Sequence, residues 1–212
     1  MIAKILSLLA KYIWIKKLGI LNGLALIISI YAHEYGHYFK AKELNYKPQT
    51  PRFVPFLGAY VKHEPLNSKK HLFEIAFAGP LFGGIVGIVS FYLSLIFNSD
   101  FLHQIALFSL IMNLSNLAPI SILDGGRIAQ SLSYTILQNI LNVVIIIIGF
   151  VFKKYFFVIL GAIGILLFFI IKHNDEYELK EMKKETKIKN RNIYLLWIAV
   201  LLIHTLLILK KT

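Results

Sequence analysis

Cysteine is absent from the 212 residues. That excludes disulfides and removes thiolates from any metal site, which would have to be built from His, Asp and Glu. Acidic residues are scarce: 11 Asp and Glu stand against 23 Lys and Arg, for a formal charge of +12. Charged residues together make up only 16% of a chain that is 57% hydrophobic, with a mean hydropathy of +0.67. A water-soluble domain of this size does not carry so much apolar surface. The excess positive charge is therefore read as lysine-rich connections beside anionic lipid headgroups, and no nucleic-acid partner is expected. No small-residue cleavage site follows the first apolar run, so no removed leader is expected, and no internal repeat is evident.

What the chain has instead is apolar runs of membrane length. A bilayer core needs roughly 20 apolar residues of helix. Six runs approach that length: Leu18–Phe39, Leu72–Phe97, Phe101–Leu123, Ile128–Phe152, Tyr155–Ile171 and Ile193–Leu209. The fold class expected is an all-α polytopic membrane protein of about six transmembrane helices. Residues 1–17 add an N-terminal amphipathic helix, since Lys4, Ser7 and Lys11 share one face at helical spacing; a short extra span is the competing reading. Residues 18–130 form the core, and residues 131–212 form the C-terminal spans with a charged connection at 172–192.

The first long run ends in Tyr31-Ala32-His33-Glu34-Tyr35-Gly36-His37. Residues four apart on a helix share a face, so two imidazoles at 33 and 37 can hold one zinc ion. Glu34, beside them, can take a proton from an attacking water. A catalytic zinc usually has three protein ligands, so a third must come from elsewhere in the chain.

A second polar motif interrupts the third run: Asn116-Leu117-Ala118-Pro119-Ile120-Ser121-Ile122-Leu123-Asp124-Gly125-Gly126-Arg127. Pro119 removes a helix hydrogen bond and favours local unwinding. Gly125 and Gly126 let the backbone pass close to a neighbour. Irregular backbone at membrane depth is tolerated only where it is buried in protein or lines a wet cavity, so Asp124 sits where a ligand would be useful. In the second run, Ala78-Gly79-Pro80, Gly83, Gly84 and Gly87 are small residues suited to close helix packing, here against the helix of the histidines.

The connection Lys40–Lys70 contains a β-prone stretch from Arg52 to Val61, and Pro55 and Gly58 favour edge strands or a hairpin. Phe53, Val54, Phe56, Gly58 and Tyr60 are its candidate substrate-binding residues, since an exposed strand edge can pair with an extended peptide. The remaining histidines, His63, His71, His103, His173 and His204, are read as structural or interfacial. Alternating sides for six spans put fifteen Lys and Arg on the side of His33 and Asp124 and eight on the other. The positive-inside rule then turns both motifs toward the cytoplasm.

On His33-Glu34-x-x-His37, Ala78-Gly79-Pro80 and Asn116-x-x-Pro119-x-x-x-Leu123-Asp124-Gly125, the chain resembles the site-2 protease family of intramembrane zinc metalloproteases. The resemblance runs over residues 18–130. It implies His33, His37 and Asp124 as ligands to one zinc ion per chain, Glu34 as the catalytic carboxylate and Asn116 as a residue holding substrate or the developing oxyanion. It also implies a membrane-associated β segment that contacts a transmembrane protein substrate, and a multi-pass protein of the cell (inner) membrane. The connections are too short for a PDZ or CBS domain, so a compact member is expected, and Gly83 stands where some relatives have asparagine. The rival reading is an ion or proton transporter using the same His, Glu and Asp side chains, which would need no stoichiometric zinc.

Overall fold

The computed structural model describes residues 2–54, 58–153, 158, 159, 161–166 and 179–211, and these are mostly helical. In chain order the elements are α1 (Ile2–Leu18), α2 (Ile20–Glu43), β1 (Arg52–Val54), β2 (Gly58–Tyr60), α3 (Lys69–Phe97), α4 (Asp100–Asn116), α5 (Asp124–Ser131), α6 (Thr135–Val151) and α7 (Lys184–Lys211). They divide between two compact units. One contains Met1–Pro65, Ala78–Ser115 and Leu195–Thr212; the other contains Leu66–Phe77 and Asn116–Tyr194.

The first unit is built on α2. Its buried residues include Gly23, Ile27, Ile30, Glu34, His37 and Ala41, a stripe at steps of three and four that marks one helix face. Helix α1 packs on α2 and β1. Ile27, Ile30 and Phe53 form the core there, with Trp14, Ile15, Tyr31 and Met112 around them. Lys11 is half-buried: its Nζ donates to Tyr31 Oη at 2.6 Å and lies 5.0 Å from the Phe53 ring centroid. The helix ends in a left-handed cap at Asn45 (φ 64°), with Tyr46 N–H bonding Ala41 O and Asn45 N–H bonding Lys42 O. The chain then enters an antiparallel ribbon with Arg52 opposite Tyr60, Phe53 opposite Ala59 and Val54 opposite Gly58. The hairpin expected from Pro55 and Gly58 is thus present; Phe56 lies outside the described residues.

Close packing of α2 on α3 occurs where small residues meet. A Cβ on Gly36 would stand 2.3 Å from the Ala78 carbonyl oxygen. Helix α3 runs on through Pro80, whose carbonyl accepts a hydrogen bond from Trp197 Nε1 at 3.1 Å. Gly84 makes room for Trp197 and Leu201 of α7.

In the second unit the backbone between α4 and α5 is folded into tight turns. Ile120 N–H bonds Ala118 O at 2.7 Å, and Leu123 N–H bonds Ile120 O at 2.9 Å. Leu117 is buried, and its carbonyl accepts from Tyr194 Oη. Ser121 Oγ accepts from Gln138 Nε2 and Asn142 Nδ2, each at 2.8 Å. Gly125 and Gly126 lie against the carbonyls of Leu117, Ala118 and Ile120, so the neighbour they pass is this loop itself.

By length and composition, α3 and α7 are long and apolar enough to cross a membrane. The six expected runs fare differently for identifiable reasons. Helix α2 is 24 residues long, but His33, Glu34, His37 and Lys40 lower the hydropathy of its second half. The expected span Phe101–Leu123 stops as helix at Asn116, ahead of Pro119. The expected span Ile128–Phe152 is two helices, broken at Leu132–Tyr134, where Ser133 takes φ 62°. The run Ile193–Leu209 belongs to a helix that begins earlier, at Lys184. Tyr155–Ile171 is described only at 158, 159 and 161–166, all helical.

Candidate metal centre

Helix α2 carries His33, Glu34 and His37 on its buried stripe, each no more than 7% exposed. Burial at that level removes the water that would otherwise solvate three polar side chains, so they need one another, other protein groups or an ion. The two imidazoles meet edge to face, their centroids 4.7 Å apart, and Nε2 of His33 lies 3.1 Å from Nε2 of His37. On the far side of the first ring, His33 Nδ1 is 2.8 Å from Oδ1 of Asn113.

The small residues of α3 set the second ring. A Cβ added to Gly79 would stand 2.2 Å from Nε2 of His37. The space that any larger residue would fill is occupied by the histidine. Packing against the histidine helix is therefore what the Ala78-Gly79 step provides, as its composition suggested.

Asp124 is the first residue of α5 and is 8% exposed. A helix N-terminus favours negative charge, which suits an ionised carboxylate at that place. His33, His37 and Asp124 form a buried group whose ligand atoms all lie within 4.8 Å of one another, the group of that kind found among the described residues. Two imidazole nitrogens and one carboxylate oxygen are a donor set that zinc takes readily, with a fourth position left for water or substrate. The donor chemistry and the Gly79 cradle thus fit the metal that the sequence motif called for.

The other expected residues fall as follows. Asn116 closes α4 and is half-buried. Phe53 is 1% exposed, its ring 4.7 Å from Tyr31 and 5.8 Å from Trp14, so its side chain serves the hairpin's own core. Tyr60, opposite Arg52, is exposed. Of the remaining histidines, His63 Nδ1 lies 2.7 Å from Glu64 O and His204 Nδ1 lies 2.8 Å from Val200 O, both local pairings. His173 lies outside the described residues.

Sequence pattern does not single out Asn113, which contacts His33, or Ser109 one turn before it, both fully buried on α4. The available signal was a polar side chain standing alone in an apolar run, which in such a run needs a partner.

Residues 23–99 match Peptidase family M50. A curated zinc metalloprotease of Methanocaldococcus jannaschii is 30% identical over 112 residues, covering 50% of this chain and 32% of the relative. The chain thus spans about a third of the length of that relative.

Proposed function

We propose that the chain, whose residues 23–99 match Peptidase family M50, is a zinc-dependent endopeptidase acting on membrane proteins. The observation that carries this reading is the buried group of His33, His37 and Asp124 with Glu34 next in sequence to the first ligand. In this reading the two Nε2 atoms and the Asp124 carboxylate hold one zinc ion per chain. When bound, zinc supplies a Lewis acid that polarises a carbonyl and acidifies water. Glu34 accepts the proton from the attacking water and delivers it to the departing amine. Asn116 donates a hydrogen bond to the carbonyl oxygen as it gains charge.

The substrate is a transmembrane segment that has unwound locally, because amides within a helix are already hydrogen-bonded. The open edge of the β1–β2 ribbon pairs with such an extended segment through its backbone, while Tyr60 offers an exposed ring. The protein is multi-pass in the cell membrane, with the metal centre toward the cytoplasmic side. What supports that placement is the surplus of Lys and Arg in the connections on that side.

The test is cleavage of single-span substrates by detergent-purified protein, with and without a zinc chelator, beside Glu34→Gln. Glu34→Gln should keep its zinc and lose about 10²–10⁴-fold in cleavage rate, the usual worth of a positioned proton acceptor. Cleavage that survives both chelation and this substitution would not come from this centre and would end the assignment, while ion movement that survives chelation, with no cleavage, would favour an ion pathway through the same residues.

A further inference from the structure

Asn113 of α4 is wholly buried, and its carboxamide is held at both ends. Nδ2 donates to the backbone oxygen of Ser109 at 2.7 Å. A backbone carbonyl can only accept, so the atom facing Ser109 is the nitrogen and the one facing His33 is the oxygen. An amide oxygen in turn only accepts, so the hydrogen in the 2.8 Å contact sits on His33 Nδ1. An imidazole protonated at Nδ1 alone keeps its lone pair on Nε2. That nitrogen is the one 3.1 Å from Nε2 of His37.

The arrangement is built into the helix pair. One turn earlier, Ser109 Oγ donates to Ser29 Oγ at 2.9 Å. Ser29 and His33 are four residues apart on α2, and Ser109 and Asn113 are four apart on α4, so the two helices run side by side in matched register. A slip of one turn would break both contacts. From α3, Gly83 leaves the needed space: a Cβ there would stand 2.5 Å from Asn113 Nδ2 and 2.6 Å from its Oδ1.

We infer that Asn113 is a positioning residue for the metal centre. It fixes the tautomer and ring plane of His33 so that Nε2 presents its lone pair beside that of His37. This rests on the metallopeptidase reading, yet it concerns binding of the metal, and no substrate is needed to test it. An outer hydrogen-bond partner of a metal-binding histidine is typically worth 10–100-fold in metal affinity.

The experiment compares unmodified protein with Asn113→Leu and Asn113→Asp in detergent. Zinc affinity is measured by competition with a chromophoric chelator, and the His33 tautomer by nitrogen NMR of the metal-free, ¹⁵N-histidine-labelled protein. Asn113→Leu has nearly the same shape but no acceptor; it should bind zinc about 10–100-fold more weakly and lose the Nδ1–H preference. Asn113→Asp keeps an oxygen in place and should recover most of both. If the Leu protein fails to fold, the tautomer of His33 in the unmodified protein decides: Nε2–H there overturns the inference. A folded Asn113→Leu protein with normal zinc affinity and an unchanged tautomer also overturns it, while leaving the peptidase reading intact. Protein that shows every expected change in zinc binding but cleaves no substrate overturns the peptidase reading and leaves the role of Asn113 standing.

Discussion

At the scale of single residues, the absence of a side chain is as consequential as its presence. Gly79 shows this. The nearest atoms to a Cβ placed there are Nε2, Cε1 and Cδ2 of the His37 ring, the closest at 2.2 Å. No real Cβ tolerates that distance, so the ring or the helix must move. Overpacking of this kind costs about 1–3 kcal/mol, and here the displaced group is a metal-ligand candidate. Gly79→Ala should therefore lower both thermal stability and zinc content. The neighbouring Gly83→Ala should affect zinc binding by a different route, through Asn113, whose carboxamide it would meet at 2.5 Å. Thermal melts and metal analysis of the purified variants check both effects. A Gly79→Ala protein with full zinc content would show that His37 is not held where α3 places it.

At the scale of elements, the hairpin and α1 act as one packed piece. Phe53 is the pin: it is 1% exposed between Trp14 of α1 and Tyr31 of α2, with the Lys11 ammonium over its ring. Phe53→Ala should cost about 3–5 kcal/mol, as loss of a fully buried aromatic ring does. Tyr60→Ala, on an exposed position, should change stability by about 0.5 kcal/mol or less and should act instead on KM if the strand edge meets substrate. Chemical denaturation separates the two.

The elements also show which features the sequence makes legible. The His33–His37 spacing, the small residues of α3 and the turn chemistry at Pro119 are local, so pattern alone exposes them. The pairing of His33 with Asn113 crosses 80 residues and leaves no local mark beyond a lone polar residue in an apolar run. The break between α5 and α6 was hidden for another reason. Leu132-Ser133-Tyr134 contains neither Gly nor Pro, yet Ser133 adopts φ 62° and the carbonyls of Ala129 and Gln130 are capped by the N–H groups of Tyr134 and Ser133. Phe53 reads as a candidate contact residue because an aromatic in a β-prone connection can face either way; the structure buries its side chain beside Trp14 of α1, a partner that strand alternation cannot reveal.

At the scale of the whole molecule, the question is how the chain lies in a bilayer. The same absence that removes thiolates from the metal centre makes the protein convenient to map, since any introduced cysteine is the only one. Lys62 is exposed in the connection between α2 and α3, and Asp100 is exposed where α3 gives way to α4. Helix α3, with 29 residues, is long and apolar enough to separate the two positions by a full bilayer. In the proposed orientation the Lys62 side, which carries the excess of Lys and Arg, faces the cytoplasm. In intact cells a membrane-impermeant maleimide should then label Asp100→Cys and leave Lys62→Cys unmodified until the membrane is permeabilised. Lys62 and Asp100 are exposed and are not members of the buried group His33, His37 and Asp124, so zinc content should be unchanged and serves as the control for folding. The opposite labelling pattern would turn the metal centre to the outside. The peptidase chemistry would survive that result, but its substrates would then have to be reached from the other face of the membrane.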